Sequence, residues 1–285
     1  MTVVSRFAPS PTGRLHLGHA FSAVRAHDLA RAAGGRFLLR IEDIDAARAR
    51  PAFVDAVVED LAWLGLSWDA PPLHQSGRLA IYAAALDRLR GRGLAYRCFC
   101  TRAEIAASAS APHGSDGPVY PGTCRILDPA ESAARAAREP HCWRLDMAAA
   151  LAQAGALEWR DAAAGIVPAR PGGQGDVVLA RKDVPTSYHL AVTVDDAAQG
   201  VTDVVRGHDL FEATHVHRLL QALLGLPSPR YHHHPLLLGP DGMRLAKRAG
   251  SASLAALRAG GADPAALVAA LRAGRLPVGI HAARA

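Results

Sequence analysis

The chain has 285 residues, half of them apolar and 20% charged, which supplies a sizeable core and excludes a disordered or fibrous protein. Its net charge of +6 rests on arginine, since Lys182 and Lys247 are its only lysines, and an arginine-rich surface favours phosphate and nucleic acid. No run reaches the ~18 apolar residues of a membrane span, the first residues do not read as a signal peptide, and four cysteines in a chain this large do not read as a disulfide framework. These features predict a cytoplasmic protein that stays off membranes.

Residues 2–7 read as a short buried strand, followed by a Pro- and Gly-rich turn over 8–13. A helix is expected from about 18 to 33, with Leu17, Ala20, Phe21 and Val24 on one face and Gly34 and Gly35 closing it. Residues 36–41 are the next strand, with Glu42 and Asp43 at its carboxyl end, so the unit is β-α-β and implies a parallel sheet. A second amphipathic helix starts near Pro51. The pattern breaks from 94 to 175, a stretch that holds every cysteine and a Ser-, Ala-, Gly- and Pro-rich loop, and it reads as an insertion. Strand-like runs resume at 176–180 and at 190–194, the latter ending in Asp195 and Asp196. Residues 204–207 and 236–238 are expected as further strands, with a helix over 214–224 between them. The expected organisation is an α/β Rossmann-type core over 1–249, interrupted by the insertion, and a short helical tail over 250–285.

The densest chemistry lies in Arg6-Phe7-Ala8-Pro9-Ser10-Pro11-Thr12-Gly13-Arg14-Leu15-His16-Leu17-Gly18-His19. A strand runs into a turn, and His16 and His19 open the helix. A helix N-terminus attracts phosphate, and Gly18 admits close approach of a purine. His16 and His19 can donate to phosphate oxygens as the α-phosphate becomes pentacoordinate. Two helix-capping histidines would give the same short pattern. In the insertion, Cys98, Cys100 and Cys124 suit tetrahedral zinc, which needs a fourth ligand; His113 in the same loop is the chemically usual type, and three buried cysteines without metal are the plainer alternative. Cys142 reads as solitary and structural. His232, His233 and His234 have no carboxylate nearby in sequence, so they read as a strand entering the site and not as metal ligands.

The run from Arg6 to His19 resembles the first signature motif of class I aminoacyl-tRNA synthetases, and its Arg-Phe-Ala-Pro-Ser-Pro-Thr-Gly prefix is similar to the glutamyl/glutaminyl branch. Residues 39–45 (Leu-Arg-Ile-Glu-Asp-Ile-Asp) and 186–196 (Thr-Ser-Tyr-His-Leu-Ala-Val-Thr-Val-Asp-Asp), the latter continuing to Val205-Arg206-Gly207, are similar to the same branch. The blocks span most of the chain from 3 to about 250. The resemblance implies ATP-dependent activation of L-glutamate, with Mg2+ accompanying ATP. Arg6 or Arg206 would take the side-chain carboxylate and Glu42 the ammonium, with Ala8, Ser10 and Tyr188 shaping the pocket. His16, Gly18, His19, Arg244 and Lys247 would bind ATP, and His16, His19 and Lys247 would carry the catalysis. The second signature falls at Gly242-Met243-Arg244-Leu245-Ala246-Lys247-Arg248, where Arg244 replaces the usual lysine and Ala246 the usual serine.

The family's short glutamyl paralogues ligate zinc through Cys-x-Cys and Tyr-x3-Cys. Matched here, Cys98, Cys100, Tyr120 and Cys124 would hold one structural Zn2+. The residues beyond Arg248 are too few for an anticodon-binding domain of normal size. The resemblance therefore implies a monomeric enzyme that moves glutamate to queuosine on tRNA(Asp). Alternatives are an ordinary or fragmentary glutamyl-tRNA synthetase charging a 3′ end, a nucleotidylyltransferase, or an inactive RNA-binding paralogue. The Arg6–Thr12 prefix and Val194-Asp195-Asp196 argue against the nucleotidylyltransferase.

Overall fold

The computed structural model describes residues 2–101, 103–105, 119–239, 245, 253–275 and 280–283. Its centre is a seven-stranded sheet built from β1 (Val4–Phe7), β2 (Arg36–Ile41), β3 (Leu73–His74), β6 (Glu158–Asp161), β7 (Gly165–Pro168), β9 (Asp203–Gly207) and β10 (Arg230–His234). The order is β3-β2-β1-β9-β10-β6-β7, with every pairing parallel except β6 with β7. The expected α/β class with a mostly parallel sheet is therefore present. From β1 the chain goes to β2 on one side, whereas β9 flanks β1 on the other. Such a switch leaves a crevice at the carboxyl ends of the strands.

The first β-α-β unit forms as its sequence dictates. Helix α1 (Leu17–Ala32) buries Ala20, Phe21, Val24 and Ala30 against β1, β2 and β9. The return into β2 needs Gly35, because a Cβ there would come within 2.1 Å of the Val3 carbonyl oxygen. Helix α2 (Pro51–Trp63) joins the same core cluster, as do α8 (Leu254–Ala259) and α9 (Pro264–Arg272) through Leu254, Val268 and Leu271. The other large cluster gathers α3 (Leu79–Gly91), α5 (Met147–Ala154), α6 (Tyr188–Ala198) and α7 (Phe211–Leu224).

Residues 94–175 are divided between two sheets. Strands β4 (Ala95–Cys98) and β5 (Cys142–Leu145), with α4 (Pro129–Ala136) between them, pair with β8 (Val178–Ala180) in a separate three-stranded sheet. The β6–β7 hairpin instead extends the central sheet beside β10. Strand β11 (Leu237–Leu238) also stays outside the central sheet and pairs with β12 (His281–Ala282) in the tail.

One expected strand is corrected. Residues 190–194 lie within α6, where Ser187 caps the first turn by accepting from the Leu190 amide. Every residue from Leu190 to Asp196 is buried. A helix enclosed on all sides shows no 3.6-residue polar rhythm, so its short apolar run looks like a buried strand. Among the described residues, no helix is long and apolar enough to cross a membrane.

The two carboxylates of α6 tie the layers together. Asp195 accepts from Gln75 (2.9 Å), Arg78 (2.8 Å) and the Tyr82 hydroxyl (2.7 Å). Asp196 accepts from Arg40 on β2 (2.7 Å) and Arg6 on β1 (3.0 Å). Burial alone would raise the Asp196 carboxyl, but Arg40 and Arg6 outweigh it and hold it at about 2. The folded pKa is depressed, so its stabilisation is complete above the usual aspartate range and is lost as pH falls through about 2. Asp196→Ala leaves Arg40 and Arg6 buried without their shared partner and is expected to cost about 3–5 kcal/mol in urea unfolding at neutral pH. A midpoint equal to wild type would remove this pair from its structural role.

Candidate functional site

The crevice at the strand ends is a cavity of about 500 Å3. Its wall carries Arg6, Ala8, Ser10, His16, Gly18, His19, Glu42, Tyr188 and Arg206, all singled out from sequence. Arg244 and Lys247 lie outside the described residues, as does His113. The neighbouring Leu245 reaches the cavity wall, and its amide donates to the Leu237 carbonyl at 3.0 Å.

Helix α1 opens on this cavity with an unusual cap. His16 accepts the Gly18 amide on Nδ1 at 3.1 Å, and His19 Nδ1 accepts the His16 amide at 3.1 Å. A ring nitrogen that accepts an amide proton carries none, so both neutral rings bear theirs on Nε2. The rings lie 3.8 Å apart between centroids. The first turn holds no acidic residue, so no negative side chain of its own neutralises the positive helix end. Gly18 has a local role as well: a Cβ there would sit 3.0 Å from the His16 ring.

The arginines differ in how their charge is met. Arg6 gives Nε to Asp196 and Nη1 to the Val205 carbonyl at 3.3 Å, so much of it belongs to the buried ion pair. Arg206 is buried at the end of β9 and meets only neutral acceptors: Thr214 Oγ1 (2.6 Å), the Leu210 carbonyl (3.1 Å), His233 (3.2 Å) and His217 (3.3 Å). Among the described residues it pairs with no carboxylate. Glu42 faces the same space and accepts from Arg40 at 3.2 Å. Burial raises its carboxyl, with Arg40 and Arg6 opposing. Burial likewise raises the Tyr188 hydroxyl. The cavity thus holds an uncompensated guanidinium, a carboxylate that a cation would keep ionised, and donors at a helix end.

Sequence reading missed several groups. The histidine run does have carboxylate partners, distant in sequence: His232 pairs with Asp203 (2.7 Å) and His233 with Asp161 (2.8 Å). His234 lines the cavity and shares a 2.7 Å hydrogen bond with Ser22. His217 and Thr214 belong to a helix that carried no functional signal of its own.

The cysteine cluster lies in the smaller sheet, in a hydrophobic cluster separate from that cavity wall. The Sγ atoms of Cys98, Cys100 and Cys124 all lie within 4.8 Å of one another, so the three can hold a metal ion. The Tyr120 hydroxyl lies 3.6 Å from Cys100 Sγ and accepts the Cys124 amide at 2.8 Å. Its ring is covered by the Arg144 guanidinium, 3.9 Å from the centroid. Cys142 is not solitary: it is the cross-strand partner of Cys98. A hydrogen bond from Cys142, with help from Arg144, pulls the Cys98 thiol far below the ordinary thiol range. A thiolate among sulfurs and a phenol oxygen is a donor set that fits zinc.

Comparison with known proteins agrees with this geometry. Residues 2–283 match the family model described as tRNA synthetases class I (E and Q), catalytic domain. A Rhodobacter capsulatus protein named glutamyl-Q tRNA(Asp) synthetase is 54% identical over 92% of this chain and 97% of its own length. A protein of the same name from Symbiobacterium thermophilum is 49% identical over 92% of this chain and 83% of its own. The crystal structure of a glutamate-tRNA synthetase from Elizabethkingia anophelis superposes with a TM-score of 0.72 at 28% identity, covering 87% of this chain. The chain spans about half the length of that structure, 53%. With the strand order, the histidine-capped helix and this match over nearly its whole length, the chain belongs to the class I tRNA synthetase family of the glutamate and glutamine type.

Proposed function

We propose that the chain joins L-glutamate to ATP as glutamyl-adenylate without needing RNA, then passes the glutamyl group to the cyclopentene diol of queuosine, the wobble base of tRNA(Asp). The observation that carries this reading is Arg206: a buried cation without a carboxylate partner among the described residues, lining the same cavity as Glu42, in a space that suits a small dicarboxylic amino acid. The names of the relatives support the acceptor.

In this reading the glutamate side-chain carboxylate lies against Arg206, with Arg6 beside it, and its ammonium meets Glu42. Ala8, Ser10 and Tyr188 bound the pocket. The α-carboxylate oxygen attacks the α-phosphorus, the bond to the bridging oxygen breaks, and pyrophosphate leaves. His16 and His19 donate from Nε2 to the phosphate oxygens, Gly18 keeps the turn close, and Arg244 and Lys247 neutralise the leaving group, with Mg2+ entering bound to ATP. A hydroxyl of the diol then attacks the acyl carbon, releasing AMP and a proton. No protein nucleophile is required, and positioning with charge stabilisation supplies the rate. Cys98, Cys100, Tyr120 and Cys124 would hold one Zn2+ in a structural role, ordering the loops that carry them. Cysteines kept as metal thiolates, with no disulfide, suit the reducing cytoplasm, and in this reading the protein acts as a monomer.

The direct test is ATP–pyrophosphate exchange driven by glutamate alone, followed by measurement of acid-labile glutamate on queuosine-containing against unmodified tRNA(Asp). Equal labelling of both tRNAs would favour an ordinary synthetase that charges the 3′ end, and no exchange would leave only an RNA-binding paralogue. His19→Ala and Lys247→Ala should each lower exchange by ~10²–10³; near-wild-type rates in both would remove these two residues from the phosphate chemistry. Arg206→Ala should raise the glutamate KM while leaving the ATP KM nearly unchanged; a matching rise for both substrates would give the arginine a structural role instead. Elemental analysis should find one zinc per chain, bound less tightly in Tyr120→Phe. Zinc retained in that variant but lost in His113→Ala would move the fourth ligand to the histidine.

A further inference from the structure

Arg206 is surrounded by groups whose protons must point away from it. Arginine only donates, so any ring nitrogen facing it must be bare. His233 Nε2 lies 3.2 Å from Arg206 Nε, which places the His233 proton on Nδ1, where it is donated to Asp161 Oδ2 at 2.8 Å. His217 Nδ1 lies 3.3 Å from Nη1 of the same guanidinium, which places the His217 proton on Nε2, donated to His189 Nδ1 at 3.1 Å. Both rings accept only while neutral. Burial, reinforced by Arg206, lowers His233 to about 4 and His217 well below the ordinary range.

Asp161 is itself fixed. It ends β6, and its Oδ1 accepts the amides of Ala163 (2.8 Å) and Ala164 (3.0 Å), which turns Oδ2 toward His233. The His233 and Asp161 side chains are 1% and 2% exposed, so water does not compete for the proton. The β6–β7 hairpin thus serves the pocket from a segment that carries none of the motif residues.

We propose that Asp161 is a positioning residue for Arg206: by fixing the proton of His233 on Nδ1 it keeps an acceptor facing the guanidinium and so sets affinity for the substrate's side-chain carboxylate. His217, with its proton directed to His189, does the same from the other side. The inference rests on the reading of Arg206 as the carboxylate site. Its chemistry makes Asp161→Asn informative. The amide can keep its oxygen on the turn amides and present NH2 to the His233 ring, losing the 3.4 Å contact that Oδ2 accepts from the His233 backbone amide. That NH2 donates to Nδ1 and drives the ring proton to Nε2, where it confronts the N–H of Arg206 and competes with Arg206 for Thr214 Oγ1, 3.2 Å from the same nitrogen.

Two measurements test this on the intact protein. In glutamate-driven exchange, Asp161→Asn should raise the glutamate KM by roughly ten- to a hundredfold, the scale of a buried donor left facing a donor, with the ATP KM little changed and Tm lowered by no more than about a few degrees. His217→Leu should also raise the glutamate KM, and His217→Asn, whose oxygen replaces Nδ1, should restore most of it. An unchanged glutamate KM in Asp161→Asn, a parallel rise for ATP with a larger fall in Tm, or an Asn variant as poor as Leu at position 217 would each overturn the proposal. Independently of any activity, ¹⁵N NMR of the histidine rings, with His233 assigned through His233→Gln, should show the Nδ1–H form in wild type and the Nε2–H form in Asp161→Asn. The Nε2–H form in wild type would overturn the proposal. Absent exchange in wild type, with the Nδ1–H form in place, would instead overturn glutamate activation and leave the proton arrangement standing.

Discussion

Asp196 is the constraint on which the site depends. One carboxylate oxygen accepts from Arg40 and Arg6, from two adjacent parallel strands, while the helix that carries it delivers Tyr188 to the cavity at its other end. Burying two guanidinium groups would be strongly unfavourable without that acceptor. With it, Arg6 is anchored through Nε, and Arg40 in turn steadies Glu42. Removing the charge would loosen strand β1, strand β2 and helix α6 together, which are three of the elements that bring side chains to the cavity.

This arrangement leaves the cavity with a deliberate imbalance. The positive charge of Arg6 is already met inside the protein, whereas among the described residues that of Arg206 meets only hydroxyl, carbonyl and imidazole acceptors. Dipoles of this kind orient a cation without neutralising it, so the remaining attraction is directed at whatever enters. Helix α1 adds a second positive locus, where histidine side chains rather than serine or aspartate cap the helix and so bring imidazole donors to its end.

Much of this was legible in the sequence because it is local. The strand–turn–helix opening and the return through Gly34 and Gly35 follow from runs of a dozen residues or fewer, and the resemblance of similarly short runs to the synthetase motifs implied the placement of Arg6, Glu42, Tyr188 and Arg206. What escaped depends on pairing between remote segments. Residues 190–194 gave no helical rhythm because every face of that turn is buried. The carboxylates that meet the histidine run come from residues 161 and 203, and no spacing rule connects them to 232–234. Cys142 looked solitary because its partner Cys98 is set by strand register, not by sequence distance. The sharing of residues 94–175 between two sheets was hidden for the same reason: the β6–β7 hairpin joins the central sheet only through β10, which is made much later.

The sheet order also governs how the chain can assemble in time. Strand β1 is made well before one of its two partners: β9 pairs with it through Ser5 and Asp203, 198 residues apart. At about 5–20 residues per second of synthesis, that partner follows β1 by roughly 10–40 s. During this interval β1 and β2 can pair and α1 can cover one face, but the inner edge of β1 and the other face of the strands lack their cover. A strand that ends up inside the sheet is therefore an open edge until β9 emerges, so the chain is exposed to mispairing before its substrate pocket exists.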